Sequence, residues 1–235
     1  MKISKHAYGP DPDQYVERYL PEGDSVLGAV LVIHGGFWRP GYGAELGHDI
    51  AADLAQRGYL ALNLEYRRAD EDGYRVVFPD VLAGIDSLAG LGVRSEDVVA
   101  VGHSAGGQLA AYAAARLPLA GIVAQAGLMD LVSTASDEVG APFVRKLLGG
   151  GPQDAPQRYR DADPLTHAPL HIPVVCVHSR TDVRVPFAQS QAYVAKGGDV
   201  ELVEVPGDHL AHVQPGSPAW AAALDVLPRL FSRRS

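Results

Sequence analysis

Gly102-His103-Ser104-Ala105-Gly106 is the stretch of this chain on which chemistry could be built. An apolar run over 98–101 precedes it, too short for a helix and rich in β-branched residues, which reads as a buried strand of a parallel sheet. The Ala- and Leu-rich run over 108–116 follows it and reads as a helix. A chain that turns at once from strand into helix holds the central serine in a strained conformation, its hydroxyl raised above the sheet. Flanking glycines remove side chains that would collide in so sharp a turn. The helix aims its N-terminus at the hydroxyl and favours developing negative charge there. The plainer reading is an ordinary strand–helix turn made of small residues, so the rest of the chain has to decide.

A serine hydroxyl is a poor nucleophile near neutral pH. It needs a base, and the base needs an orienting acid. In a mostly parallel sheet such groups collect at the carboxyl ends of strands. Asp182 follows a strand read at 173–177, and His209 follows one read at 200–205. Asp130 is the rival acid and His212 the rival base. The plain alternatives are a helix cap for Asp182 and a surface-loop residue for either histidine. Acyl transfer also develops an oxyanion, which calls for preorganised backbone donors. His34-Gly35-Gly36-Phe37-Trp38, directly after a strand at 29–33, offers them. Gly36 and Phe37 are the candidates there, joined by the N–H of Ala105. His34 reads as a brace for that loop. Phe37 and Trp38 are candidate walls of the substrate pocket, and Trp38 reads equally well as packing under a helix at 44–57.

These groups need a scaffold, and the pattern supplies one. Edge strand 13–20, strands at 29–33, 59–64, 97–101, 121–125, 173–177 and 200–205, and helices at 44–57, 79–91, 107–116, 186–196 and 218–231 alternate along the chain. In helix 44–57 the four-residue spacing of Leu46, Ile50 and Leu54 predicts a face against the sheet. Residues 65–77 read as an exposed polar loop. Residues 128–171, rich in Pro and Gly, read as irregular apart from a short helix at 142–148. The alternation predicts one α/β domain over 1–235, with a mostly parallel central sheet and helices on both faces.

The chain has 235 residues, 47% of them hydrophobic, which suits a sizeable core. Its net charge of −8 and lack of a basic run argue against nucleic acid as a partner. Cys176 is the single cysteine and reads as a buried, inert thiol. No signal peptide or membrane-spanning segment is evident, so the expected compartment is the cytoplasm. No metal-ligand motif appears, and neither metal nor cofactor is expected.

HGGFW, GHSAGGQLA, a late Asp and a late His together resemble the α/β-hydrolase superfamily, most of all its esterase branch with an H-G-G motif. That branch includes kynurenine formamidase-like and hormone-sensitive-lipase-like enzymes. The resemblance covers nearly the whole chain and implies an α/β-hydrolase fold without a large cap domain. Glu65-Tyr66-Arg67 is similar to the [DE]YR element of both groups, in which the Arg is structural. The expected activity is cleavage of small carboxylic esters through Ser104, His209 and Asp182. The alternatives are an arylformamidase, a small exopeptidase related to prolyl oligopeptidase, and a non-catalytic small-molecule receptor on the same fold. The expected partners are a small ester or amide and, as a homodimer, a second copy of the chain.

Overall fold

Two apolar strands set the architecture. β3 (Ala29–Ile33) and β5 (Val98–His103) are buried along their whole length and pair in parallel, Ala29 opposite Val98 and Ile33 opposite Gly102. Their side chains alternate between two cores. Ala29, Leu31, Ile33, Val98 and Ala100 enter one, while Val30, Val32, Val99 and Val101 enter the other. A strand apolar on both faces must be covered on both, and a parallel connection needs a crossover long enough for a helix.

In this computed structural model residues 1–23, 25–68 and 73–232 are described. Ahead of β3 lie β1 (Lys2–Ala7) and β2 (Tyr15–Leu20), and β4 (Leu60–Leu64) follows it. Beyond β5 come β6 (Gly121–Gln125), β7 (Val174–His178) and β8 (Val200–Glu204). The eight strands form one sheet in the order β1-β2-β4-β3-β5-β6-β7-β8, parallel throughout except for β1 and β2. Helices α1 (His48–Gln56), α2 (Val77–Asp86) and α3 (Ala105–Ala114) cover the first half of the sheet. Four short helices follow, α4 (Leu131–Thr134), α5 (Ala141–Leu148), α6 (Pro156–Ala162) and α7 (Pro164–His167). The chain ends with α8 (Ala188–Val194) and α9 (Pro218–Ser232). Ile50 and Leu54 of α1 and Trp220 and Leu227 of α9 fill one core, and Phe78 and Val81 of α2 and Leu109 of α3 fill the other.

The structure departs from the sequence reading in several places. The strand near 13–20 is not an edge, because β1 pairs with β2 along its length. β1 is mostly exposed and carries Lys2, Lys5 and His6, so no apolar alternation announces it. Helix 44–57 divides into a 3₁₀ turn at Ala44–Gly47 and α1, which leaves Leu46 exposed rather than against the sheet. In the loop after β4, Glu65 and Tyr66 are buried, while 69–72 lie outside the described residues. The segment 128–171 is largely helical. Pro142, Pro156 and Pro164 start α5, α6 and α7 instead of breaking structure, since a first-turn N–H makes no intrahelical hydrogen bond that proline would remove. Asp130 and Asp163 cap α4 and α7.

The first turn of α3 lies directly on the end of β3. A Cβ on Gly106 would sit 2.0 Å from the Ile33 carbonyl oxygen and 2.8 Å from that of His34. Both obstacles are backbone and cannot swing away. Gly106→Ala is therefore expected to destabilise the protein by roughly 1–3 kcal/mol, as overpacked sites do. The measurement is the urea midpoint, which should fall at unchanged slope. An unchanged midpoint would show that the helix can retreat from the sheet at no cost.

Candidate active site

Ser104 joins β5 to α3 with φ 56° and ψ −119°, a conformation rare outside glycine. The turn is locked from several sides. The Ser104 N–H donates to the Gln125 carbonyl at 2.8 Å, and the Ser104 carbonyl accepts from Gly107 and Leu128 at 3.0 and 3.2 Å. A Cβ on Gly102 would sit 2.2 Å from the Gly106 carbonyl oxygen, so no larger residue fits two positions before the serine. Ser104 is only 2% exposed, and it lines a cavity of about 80 Å³ together with Gly36, Phe37, His103 and His209.

The loop after β3 supplies the other wall. Gly36, Phe37 and Trp38 all have positive φ, at 106°, 53° and 57°. Such a run turns the backbone sharply, and glycine tolerates it best. The loop is braced from behind. His34 Nδ1 lies 2.8 Å from the Gly35 carbonyl and Nε2 lies 3.1 Å from Glu65 Oε1. Its ring stacks on Tyr66 at 4.3 Å, and the Tyr66 hydroxyl donates to the His34 carbonyl at 3.0 Å. Glu65 also accepts from the N–H of Ala44 at 2.8 Å and pairs with Arg68. Burial alone would raise this carboxyl, but its bonds to His34 and Ala44 and the charge of Arg68 hold it below the usual range. Arg67 grips Asp80 at 2.7 Å, the structural part expected of it.

Asp182 and His209 come together from the ends of β7 and β8. His209 Nδ1 lies 2.7 Å from Asp182 Oδ2, while Oδ1 accepts from the N–H groups of Arg184 and Val185 at 2.8 and 2.9 Å. His178 Nε2 stands 3.6 Å from the same carboxylate. Burial would raise the Asp182 carboxyl, yet these partners hold it well below the ordinary carboxylate range. His209 opens a 3₁₀ turn, His209–Val213, capped by Asp208. With Nδ1 engaged, Nε2 is its remaining ring nitrogen.

The rival residues sit elsewhere. The Asp130 carboxylate caps α4 through Ser133. His212 is fully buried, and neither ring nitrogen has a partner among the described residues. Trp38 does not line the cavity at Ser104. It is 3% exposed, and its indole donates to Gln108 of α3 at 3.1 Å, so it packs against α3 and not under α1. The sequence reading missed Arg39, Tyr42, Leu46, His103, Arg184, Leu210 and Val213 as lining residues. Arg39 and Arg184 follow Gly36 and Asp182 by three and two residues, which is the one signal that could have found them. Cys176 is buried, and burial pushes its thiol up to about 12. Among the described residues no group of three His, Cys, Asp or Glu side chains could hold a metal ion. No helix among them is long and apolar enough to cross a membrane.

Sheet order, serine turn and the placement of the acid and histidine loops define an α/β-hydrolase fold. The chain belongs to the prolyl oligopeptidase family, whose sequence profile matches residues 54–206. That span contains Ser104 and Asp182, while the H-G-G segment and His209 lie outside it. Among curated proteins, the chain is similar to esterase LipC of Mycobacterium tuberculosis, 26% identical over 92% of this chain and 62% of the relative. It is also similar to the probable carboxylic ester hydrolase LipM of the same organism, 26% identical over 69% of this chain and 43% of the relative. The chain thus spans less than two thirds of the length of either. Esterase B from Lactobacillus rhamnosis shares the fold with a TM-score of 0.81 at 20% identity, covering 99% of this chain and 86% of that one. Thermogutta terrifontis esterase 2 does so with a TM-score of 0.73 at 20% identity, covering 99% and 92%.

The buried imidazoles give the fold a pH dependence. Burial first, then the charges of His178 and His209, push His212 down to about 4 from its usual 6.5. Burial, then His209 and His212, likewise push His103 well down. Above pH 7 both rings are neutral folded and unfolded, so they add no slope. As pH falls below 6.5 the unfolded chain takes up protons that the folded chain refuses, and stability drops until the folded value is reached. His212 alone accounts for about 2 kcal/mol of loss at pH 5. His212→Leu should therefore lose several degrees less in Tm than the parent between pH 7.5 and pH 5. An equal loss in both proteins would show that His212 is not held neutral.

Proposed function

We propose that this protein hydrolyses small carboxylic esters through an acyl-enzyme on Ser104, with His209 as base and Asp182 as its orienting acid. The observation that carries the reading is the 2.7 Å pair of His209 and Asp182, with His209 facing the same cavity as a serine held on a strained strand–helix turn. Ser104 Oγ attacks the ester carbonyl carbon while His209 Nε2 takes the hydroxyl proton. The tetrahedral oxyanion is received by backbone N–H groups of Gly36, Phe37 and Ala105, at the positive end of α3. His209 then returns the proton to the leaving oxygen, and the alcohol departs. Water attacks the acyl-enzyme by the same route and releases the acid. Asp182 stays ionised throughout and stabilises the imidazolium. The two mycobacterial relatives, named as an esterase and a probable carboxylic ester hydrolase, support this reading.

A second reading has the family match behind it. Membership of the prolyl oligopeptidase family favours an aminoacyl amide as substrate, with the same residues in the same roles. H-G-G followed by Phe37 and Trp38 keeps formamides of aromatic amines as a sharper variant of that amide chemistry. A panel of p-nitrophenyl esters, aminoacyl anilides and N-formyl arylamines separates the three by kcat/KM.

Ser104→Ala should lower turnover on the order of 10⁶-fold with the fold intact, and Asp182→Asn on the order of 10⁴-fold. A correctly folded Ser104→Ala enzyme with near-full activity would overturn the proposal. The small cavity and the bulk of Phe37 beside the proposed oxyanion donors also favour short acyl groups. Along p-nitrophenyl esters from acetate to laurate, kcat/KM should peak between acetate and butyrate. A steady climb to laurate would show an acyl channel that Phe37 does not close.

A further inference from the structure

Among the described residues, the charged side chains that line the cavity at Ser104 are two arginines, Arg39 and Arg184, and no acidic side chain is part of that lining. This is unexpected in a chain of net charge −8. Several guanidiniums elsewhere in the protein are neutralised. Arg57, Arg67, Arg116, Arg180 and Arg229 each hold a carboxylate at 2.6 or 2.7 Å. Arg39 and Arg184 have no carboxylate partner among the described residues.

The two cations stand on the loops that flank the serine. The Arg39 N–H donates to the Gly36 carbonyl at 3.3 Å, a tight turn that keeps the residue beside the proposed oxyanion donors. Its guanidinium is held over the rings of Tyr42 and Phe143 at 4.7 and 4.8 Å, and it donates to the Tyr42 hydroxyl at 2.7 Å. Its Nε is buried without a hydrogen-bond partner among the described residues. A guanidinium fixed in this way loses little freedom when an anion arrives. Arg184 is tied by its N–H to Asp182 Oδ1 at 2.8 Å, and its side chain is exposed. Phe37, Leu46, Leu210 and Val213 make the remaining wall largely apolar. Apolar surroundings strengthen a cation's pull, and a guanidinium fork matches a carboxylate in shape.

The geometry points to a substrate that carries a carboxylate near its scissile ester, received by Arg184 and Arg39. This rests on the proposed role of Ser104. The carboxylate can belong to the leaving group or to the acyl group, and two pairs of compounds distinguish these. In the first, 4-acetoxybenzoate is compared with 4-acetoxybenzamide. In the second, monoethyl glutarate is compared with its neutral monoamide. In one pair or both, kcat/KM should be at least tenfold higher for the anion. That ratio should fall toward unity in 0.5 M NaCl, where exposed charges are screened on the order of 3–5 Å away. It should fall about tenfold in Arg184→Gln and below unity in Arg184→Glu. An anion-to-neutral ratio of one or less in both pairs, or one that Arg184→Glu leaves unchanged, would overturn the subsite. Titration calorimetry of the same compounds on Ser104→Ala reads binding without turnover. Anion-selective binding with no cleavage by the parent enzyme would leave the subsite standing and overturn the ester reading. Cleavage with no anion preference in rate or binding would do the reverse.

Discussion

The contact on which the rest depends is backbone against backbone, where the first turn of α3 meets the end of β3. Gly102 and Gly106 let that helix start directly beneath the serine, with carbonyl oxygens where any Cβ would have to go. One close approach thereby ties together two things that must be in register. It fixes Ser104 at φ 56° above β5, and it sets α3 against the loop that turns through Gly36 and Phe37. β3 and β5 are neighbours in the sheet, so the distance between serine and loop is inherited from strand spacing and does not depend on flexible side chains.

Electrostatics around this frame follow a single logic. Asp182 and Glu65 are buried carboxylates, and burial by itself would push both toward the neutral acid. Each is instead surrounded by donors. Asp182 has His209 and two backbone amides, and Glu65 has His34, Arg68 and the amides of Ala44 and Tyr66. Removing one partner would leave charge uncompensated, so these groups are rigid as well as ionised. His103 and His212 behave in the opposite way, since burial favours their neutral form. His103 gives Nε2 to the His209 carbonyl at 2.9 Å, and with His212 it packs its ring close to the proposed base. Neutral rings there add shape without adding a second positive charge beside the imidazolium that catalysis would create.

How much of this was legible depended on whether a feature was local. β3 and β6 fall on the residues read from their apolar runs, because a continuously buried strand advertises itself over five residues. The serine turn was legible because its Gly-Ser-Gly spacing falls between an apolar strand run and an Ala-rich helix run. Asp182 and His209 were narrowed by position along the chain, while their 2.7 Å pairing depends on how far β7 and β8 are staggered, which no spacing encodes. β1 was illegible because its pairing partner, and no pattern of its own, makes it a strand. The segment 128–171 misled because proline was read as a breaker, and only the capping aspartates before α4 and α7 would have suggested helix starts. Trp38 could not be placed from sequence, since the Gln108 that receives its indole N–H is seventy residues away.

Three of the residues that escaped the sequence reading share one property. Arg39 stands three residues after Gly36, Arg184 two after Asp182, and Leu210 one after His209. Each is carried into the cleft by backbone that the proposed chemistry already holds in place. The turn through Gly36 places Arg39, the amide bond to Asp182 Oδ1 places Arg184, and the Asp208 cap places Leu210. None of them enters either core. Substitution at these positions can therefore change what enters the cleft without moving the serine, histidine or acid. The sheet sets the geometry of Ser104, His209 and Asp182, and residues just beyond its strand ends line the opening. A chain with net charge −8 can in this way place two guanidiniums in the lining of one cleft, whatever the sum over its surface.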